Sequence, residues 1–344
     1  MRSRLWLPIL VVWATACTRD RPVTTGFYHW KTRFAPDSVE TLFLKQTAAR
    51  TLYLRIFDVD WDFQHHRPIP KAILQTSGNF PADVRIIPTV FITNRCLRHT
   101  TRPDSMAIKI ITLARDVLGA DLAHRFPVLQ LDADWSGSTR DTYFRLIRAI
   151  RRLGNFERIS VTIRLHQYKY PEKTGVPPAD EGILMCYNTG NIEDPDETNS
   201  IATPSTVKAY LNGPAPYPIP LGVALPLYRW TVIYRDGRLF KIVSNPDTSW
   251  TADSSHFGAL GAHRYVVVHN TFFFGHFLYT DDLLRIEQVP ADSLREMLQM
   301  LRQKQYFREV VWYHLDRAQL AAWTPDLLND LANAPTSGHK TPPY

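Results

Sequence analysis

Apolar runs of strand length alternate with runs of helical period along nearly the whole chain. A first strand is predicted over Gly26–Lys31, followed by a helix over Ser38–Ala49 that Asp37 or Ser38 can cap. A second strand covers Thr51–Trp61 and a third Arg85–Asn94. Between about Asp104 and His124, Met106, Ile110, Leu113, Val117 and Leu118 recur at helical spacing. The fourth strand, Val128–Trp135, leads into a helix over Ser138–Leu153 whose Arg145, Arg148, Arg151 and Arg152 read as a solvated outer face. Strands over Arg158–His166, Gly182–Asn188 and Ile219–Tyr228 follow, with a short helix at Ser205–Leu211. The eighth strand is Glu309–Asp316, between a helix at Asp292–Gln303 and a last one reaching Ala332.

Strands alternating with helices in one domain of this length predict an α/β fold, a (β/α)8 TIM-like barrel spanning 26–332. A doubly wound open sheet is the alternative; no GxGxxG or GxxxxGK[ST] follows an early strand, which weakens its nucleotide-binding version. The repeat is interrupted after strand 7. Thr231–Val243 has the alternation of a β-hairpin turning at Asp236-Gly237, and an aromatic segment runs from Tyr265 to Tyr279. Residues 231–289 are therefore expected to form a β-rich insertion, and 333–344 a loose tail.

Composition adds limits. The 344 residues are 44% hydrophobic and 21% charged, which is globular rather than disordered. The +7 formal charge is not gathered into a compact basic block, so nucleic acid is not an expected partner. Apart from Cys17, the cysteines are Cys96 and Cys186, too few for a disulfide framework. Neither lies in a zinc-ligand spacing, and no metal or cofactor is expected.

The first residues change the picture of where the chain works. Arg2 and Arg4 precede an apolar run, Leu5–Trp13, too short to span a bilayer, and Ala14-Thr15-Ala16-Cys17 follows. This segment resembles a bacterial lipobox, although Ala14 stands where Leu is more usual. The resemblance implies a signal peptide over 1–16, lipid on Cys17, a tether over 17–25 and a membrane partner. It also implies a bacterial cell envelope location, with the outer membrane favoured. A plain signal peptide with an incidental cysteine is the alternative.

Candidate chemistry gathers at the C-terminal ends of the strands, where a barrel of this kind keeps its site. In Gln130-Leu131-Asp132-Ala133-Asp134 the alternation puts both carboxylates on one face, so their charges couple and one pKa rises. Trp30, Asp58, Asp60, Trp61, Trp135, Arg164, His166, Tyr187, Asn188, Trp230 and Trp312 are brought to the same rim. Rings stack on the C–H faces of sugars, while carboxylates and amides bind hydroxyls, so the rim reads as a carbohydrate site. Glycoside hydrolysis further needs two carboxyl groups in unlike environments. The purely structural alternatives are Asp132 or Asp134 bound to Arg164 or to a loop backbone, Asp58 or Asp60 paired with Arg33 or Arg55, and tryptophans that only fill the barrel mouth.

Leu131-Asp132-Ala133-Asp134-Trp135 and Leu184-Met185-Cys186-Tyr187-Asn188 resemble the fourth-strand DxxDxDxE and sixth-strand MxY[DN] motifs of family 18 chitinase-like glycoside hydrolases. The chain as a whole, with its lipobox, FYHWKT opening and FDVDWD strand, resembles a family of bacterial lipoproteins with a glycosidase-like barrel. The resemblance implies Asp132 and Asp134 as the second and third acids of the motif. It implies Met185, Tyr187 and Asn188 on the sixth strand, and Trp312 as the floor of the sugar site. Leu129 replaces the first acid, and Ser136 stands where the proton-donating Glu belongs. A serine cannot protonate a leaving group, so the family mechanism does not carry over intact.

Three functions remain open on these residues. In a membrane-anchored hydrolase, Asp134 is the acid, Asp132 tunes it, Tyr187 and Asn188 orient the sugar or a reacting acyl group, and Asp58 or Asp60 supplies the second carboxylate. The second is a barrel that binds glycan without cleaving it. The third is a structural envelope lipoprotein that uses the aromatic insertion as a partner surface.

Overall fold

The computed structural model describes residues 23–334 except 78, 213–215 and 305–306. The expected signal peptide, Cys17, all but the end of the tether, and the tail beyond 334 lie outside the described residues. Barrel strands are labelled β1 (Thr24–His29), β2 (Thr51–Asp62), β3 (Arg85–Ile92), β4 (Val128–Ala133), β5 (Arg158–Arg164), β6 (Glu181–Met185), β7 (Leu221–Pro226) and β8 (Glu309–Tyr313). Each pairs in parallel with the next, and β1 pairs with both β2 and β8, which closes the ring. The (β/α)8 architecture is therefore the observed one.

Closure makes the period of two decisive. Leu129, Leu131 and Ala133 of β4 face outward and are buried beneath the helices. Gln130 faces the axis, where it accepts from the Tyr28 hydroxyl at 3.0 Å and Thr89 at 3.2 Å and donates to Ser160 at 3.2 Å. Lower in the barrel, the Tyr53 hydroxyl donates to Glu309 at 2.8 Å. The interior thus carries a polar ladder, while the outward residues of β4 pack against apolar helix faces. The helix Arg140–Gly154 supplies one such face through Tyr143, Leu146, Ile147 and Ile150 and stops at Asn155, whose φ of 56° is left-handed. Its arginines are exposed, as expected.

Several element ends differ from the pattern-based reading, for local reasons. The helix expected over 104–124 breaks at Gly119 (φ 107°) into Pro103–Leu118 and Leu122–Arg125. The fifth strand stops at Arg164 because a short helix, Leu165–Lys169, begins there and carries His166. The eighth stops at Tyr313, and Asp316 leaves it to cap the helix Arg317–Leu320, accepting from the amides of Ala318 and Gln319. A strand not anticipated, Arg67–Lys71, folds back antiparallel on the outer end of β2.

After β7 the chain enters a five-stranded sheet in the order Arg238–Ser244, Arg229–Arg235, Leu283–Gln288, Arg264–Val267, Phe257–Gly261. The hairpin turns at Asp236 (φ 51°) and Gly237 (φ 69°), the positive pair a two-residue loop requires. Ile233, Phe257, Val267, Phe273, Leu278 and Leu284 give it a small core of its own. Its first strand starts at Arg229, so the residues leaving β7 belong at once to barrel mouth and sheet.

Gly26 sits where the ring closes. A Cβ there would lie 2.9 Å from Glu309 Oε1 and 3.1 Å from the Thr51 carbonyl. Gly26→Ala is expected to cost about 1–3 kcal/mol by overpacking this seam, measured as a lowered urea midpoint with an unchanged slope.

Candidate functional site

The barrel mouth holds a cleft with a volume of about 340 Å³, walled by Trp30, Phe91, Tyr187, Tyr228, Trp230 and Tyr313, with Asp132 at its base. A second hollow of about 300 Å³ adjoins it across Arg164, Met185, Tyr187 and Asn188 and takes in Asp134 and His166. The rings form a continuous arc. Tyr313 lies 5.8 Å from Trp30, 5.1 Å from Tyr187 and 5.9 Å from Tyr228, and Tyr228 lies 5.2 Å from Trp230.

Asp132 is the buried carboxyl, 3% exposed, and accepts from Thr162 Oγ1 at 2.6 Å. Burial pushes its pKa up to about 6; the nearby Arg164 opposes this, and the charges of Asp134 and Asp58 add to it. Asp134, one step further out, is half exposed and forms a two-pronged ion pair with Arg164, with Nη2 donating at 3.0 Å. The expected roles are thus exchanged: the carboxyl kept protonatable is Asp132, and Asp134 is the one held by a cation. The Asp134–Arg164 pair is the structural alternative realised, yet it borders open space rather than being sealed.

Tyr187 is buried, with its ring edge-on to Tyr228 and its hydroxyl 3.3 Å from Met185 sulfur. Asn188 is exposed in the left-handed region (φ 55°) and accepts from the Tyr228 hydroxyl at 2.6 Å. Trp230 is fixed from behind: its indole N–H donates to Glu287 at 2.7 Å. The same carboxylate accepts from the Ser200 amide and hydroxyl and from Arg285 Nε. Glu287 and Arg285 are both buried, so the inserted sheet and the 189–201 loop are tied to one wall of the cleft. His314 also borders the cleft; burial lowers its pKa to about 4 and leaves the ring neutral, with Gln319 at 2.8 Å. His166, half-buried on its helix, has its pKa lowered by burial as well.

Not every predicted residue arrives. Asp60 is buried in an ion pair with Arg95 and Lys71, also accepting from Thr93, and these donors hold its pKa well below the carboxylate range. Its partners are therefore neither Arg33 nor Arg55. Trp61 stacks on His99 at 5.5 Å, out on the β2 hairpin away from both hollows. Asp58 does pair with Arg55, at 3.6 Å, and burial raises its pKa; it borders neither hollow.

Trp135 is 1% exposed, stacked on Tyr143, with its N–H donated to the Thr174 carbonyl at 3.0 Å. Trp312 is fully buried on the outward face of β8. The residue that floors the cleft is its neighbour Tyr313, because Glu309, which meets Tyr53 at the axis, sets the parity of β8. That parity was the available signal. Tyr228 and Arg229 also line the cleft, and their place at the end of β7 marked them. Ser136, where the resemblance would put a proton donor, bonds through its side chain to the Ser138 and Thr139 hydroxyls, and its backbone to the Thr139–Arg140 turn.

Both Cys96 and Cys186 are buried free thiols. Among the described residues no group of His, Cys, Asp or Glu is arranged to hold a metal, and no helix is long and apolar enough to cross a membrane.

No protein-family model matches this sequence, and no curated protein matches it. Its fold does match solved structures. The spore cortex-lytic enzyme SleL of Bacillus cereus is 14% identical over 91% of this chain and 74% of its own, with a TM-score of 0.53. A class V chitinase from Nicotiana tobaccum, crystallised as a mutant in complex with NAG4, is 12% identical over 91% of this chain and 99% of its own, also at 0.53. A chitinase from Chromobacterium violaceum is 13% identical over 87% of this chain and 97% of its own, at 0.51. At these identities the likeness is one of architecture: this chain shares, at a distance, the barrel of the chitinase-like glycoside hydrolases.

Proposed function

We propose that this chain is a lipid-anchored envelope protein whose barrel mouth binds a glycan. The observation that carries this reading is the arc of rings from Trp30 through Tyr313 to Trp230, set around a buried carboxyl. Rings spaced in this way present flat apolar faces to pyranose C–H groups, while Asp132, Asn188 and the tyrosine hydroxyls meet sugar hydroxyls. Against the hydrolytic route that the resemblance implies, the Ser136 hydroxyl is far too weak an acid to protonate a leaving group at neutral pH, and Asp134 is engaged by Arg164. That SleL and the chitinases are named for acting on glycans supports the ligand class.

A second reading, hydrolysis by a different acid, is favoured by one observation: Asp132, with a pKa near 6, holds a proton in mildly acidic medium. Incubation with a polysaccharide panel separates the two. Binding without new reducing ends, weakened roughly tenfold in Trp230→Ala, is expected. Reducing-end release lost in Asp132→Asn would replace binding by hydrolysis, and no affinity for any glycan would remove the reading altogether.

Anchoring rests on the lipobox-like Ala14-Thr15-Ala16-Cys17. In bacteria fed a labelled fatty acid, the parent chain is expected to take up label and sediment with membranes. Cys17→Ala is expected to do neither; equal labelling of both would dismiss the anchor.

The raised pKa of Asp132 also sets a pH dependence. The folded carboxyl titrates at about 6, against about 4 in an unfolded chain. The folded state therefore binds the extra proton in that window, and stability present below pH ~4 is lost as pH rises through ~6. The loss is at most about 3 kcal/mol. Denaturation of Asp132→Asn at several pH values is expected to lack this fall and to show a more stable variant at pH 8.

A further inference from the structure

We propose that the glycan is an acidic one, and that Arg229 receives its carboxylate; this rests on the glycan reading above. Arg229 is the first residue of the inserted sheet, held between Tyr228 and Trp230 at the cleft wall. Its backbone is pinned on both sides by Asn245, whose amide N donates to the Arg229 carbonyl at 3.0 Å and whose Oδ1 accepts from the Arg229 amide at 3.3 Å. The guanidinium is therefore presented from a fixed point.

What it lacks is an acceptor. Arg229 Nε is buried with no hydrogen-bond partner among the described residues, and no carboxylate there lies within ion-pair distance of its guanidinium. The other arginine of the cleft wall, Arg164, is neutralised by Asp134. The acid whose charge Arg229 does influence is Asp247, and that carboxylate is exposed and occupied by the Ser249 amide and hydroxyl, both at 3.0 Å. A half-buried cation with an orphaned donor is costly when the cleft is empty and is relieved by an anion. The planar fork matches a carboxylate through two parallel bonds, and flanking rings at 5.2 Å separation offer a stacking face for the ring that bears it. Uronic-acid residues carry a carboxylate directly on a pyranose in that relation.

The test is titration of the full chain with a hyaluronan hexasaccharide and an oligogalacturonate, each beside its carboxyl-reduced form. At least one acidic oligosaccharide is expected to bind about tenfold or more tightly than its reduced partner. Arg229→Gln should abolish that preference, weakening the acidic form far more than the reduced one, without lowering the melting temperature; Arg229→Lys should retain part of the preference. Equal binding of acidic and reduced forms in both pairs, or a preference that survives Arg229→Gln, overturns the assignment and leaves the glycan reading standing. Absence of binding by any saccharide removes both.

Discussion

The pairing of β1 with both of its neighbours is the constraint on which the rest depends. Once the ring is closed, each strand has an inside and an outside, and every residue's fate follows from its parity. Closure forces Tyr28, Tyr53, Gln130, Asp132 and Glu309 away from water, and the chain answers with hydrogen bonds from Tyr28 to Gln130, from Tyr53 to Glu309 and from Thr162 to Asp132. It also brings side chains from strands far apart in sequence to a single mouth. The cleft is a by-product of that geometry, and its chemistry is set by how deep each group sits. Two residues along the chain separate a buried carboxyl whose pKa is raised from one that is pinned to an arginine.

Much of this was legible in the sequence. The barrel was readable because eight apolar runs are separated by helical ones, and strand ends are where polar and aromatic residues cluster. Asp132, Tyr187, Asn188, Arg164, Trp30 and Trp230 do meet at one cleft. What local pattern could not supply was the parity beyond the last ladder bond. Trp135 follows a strand that has already ended, so alternation no longer governs it, and it turns under the Arg140–Gly154 helix. Trp312 and Tyr313 are both large and aromatic; only the partner of Glu309 decides which of them faces in. Asp60 and Trp61 were taken from the barrel by a back-folded strand that contains two prolines and does not read as a strand.

The likeness to the chitinase-like barrels is one of architecture. Asp132 keeps a buried place on β4 and Tyr187 its place after β6, which is what the architecture demands of any such barrel. The positions that would carry proton transfer have been filled by groups that bond locally, Ser136 to its own turn and Asp134 to Arg164.

The buried Glu287, which gathers Trp230, Ser200 and Arg285, means that one side of the mouth is borrowed from outside the eightfold repeat. The shape of the mouth can therefore change by exchange of the appended sheet while the barrel beneath stays untouched. By the same logic, a trimmed version of the protein reduced to its repeating units would be a bowl with a missing side, closed as a ring and open as a receptacle.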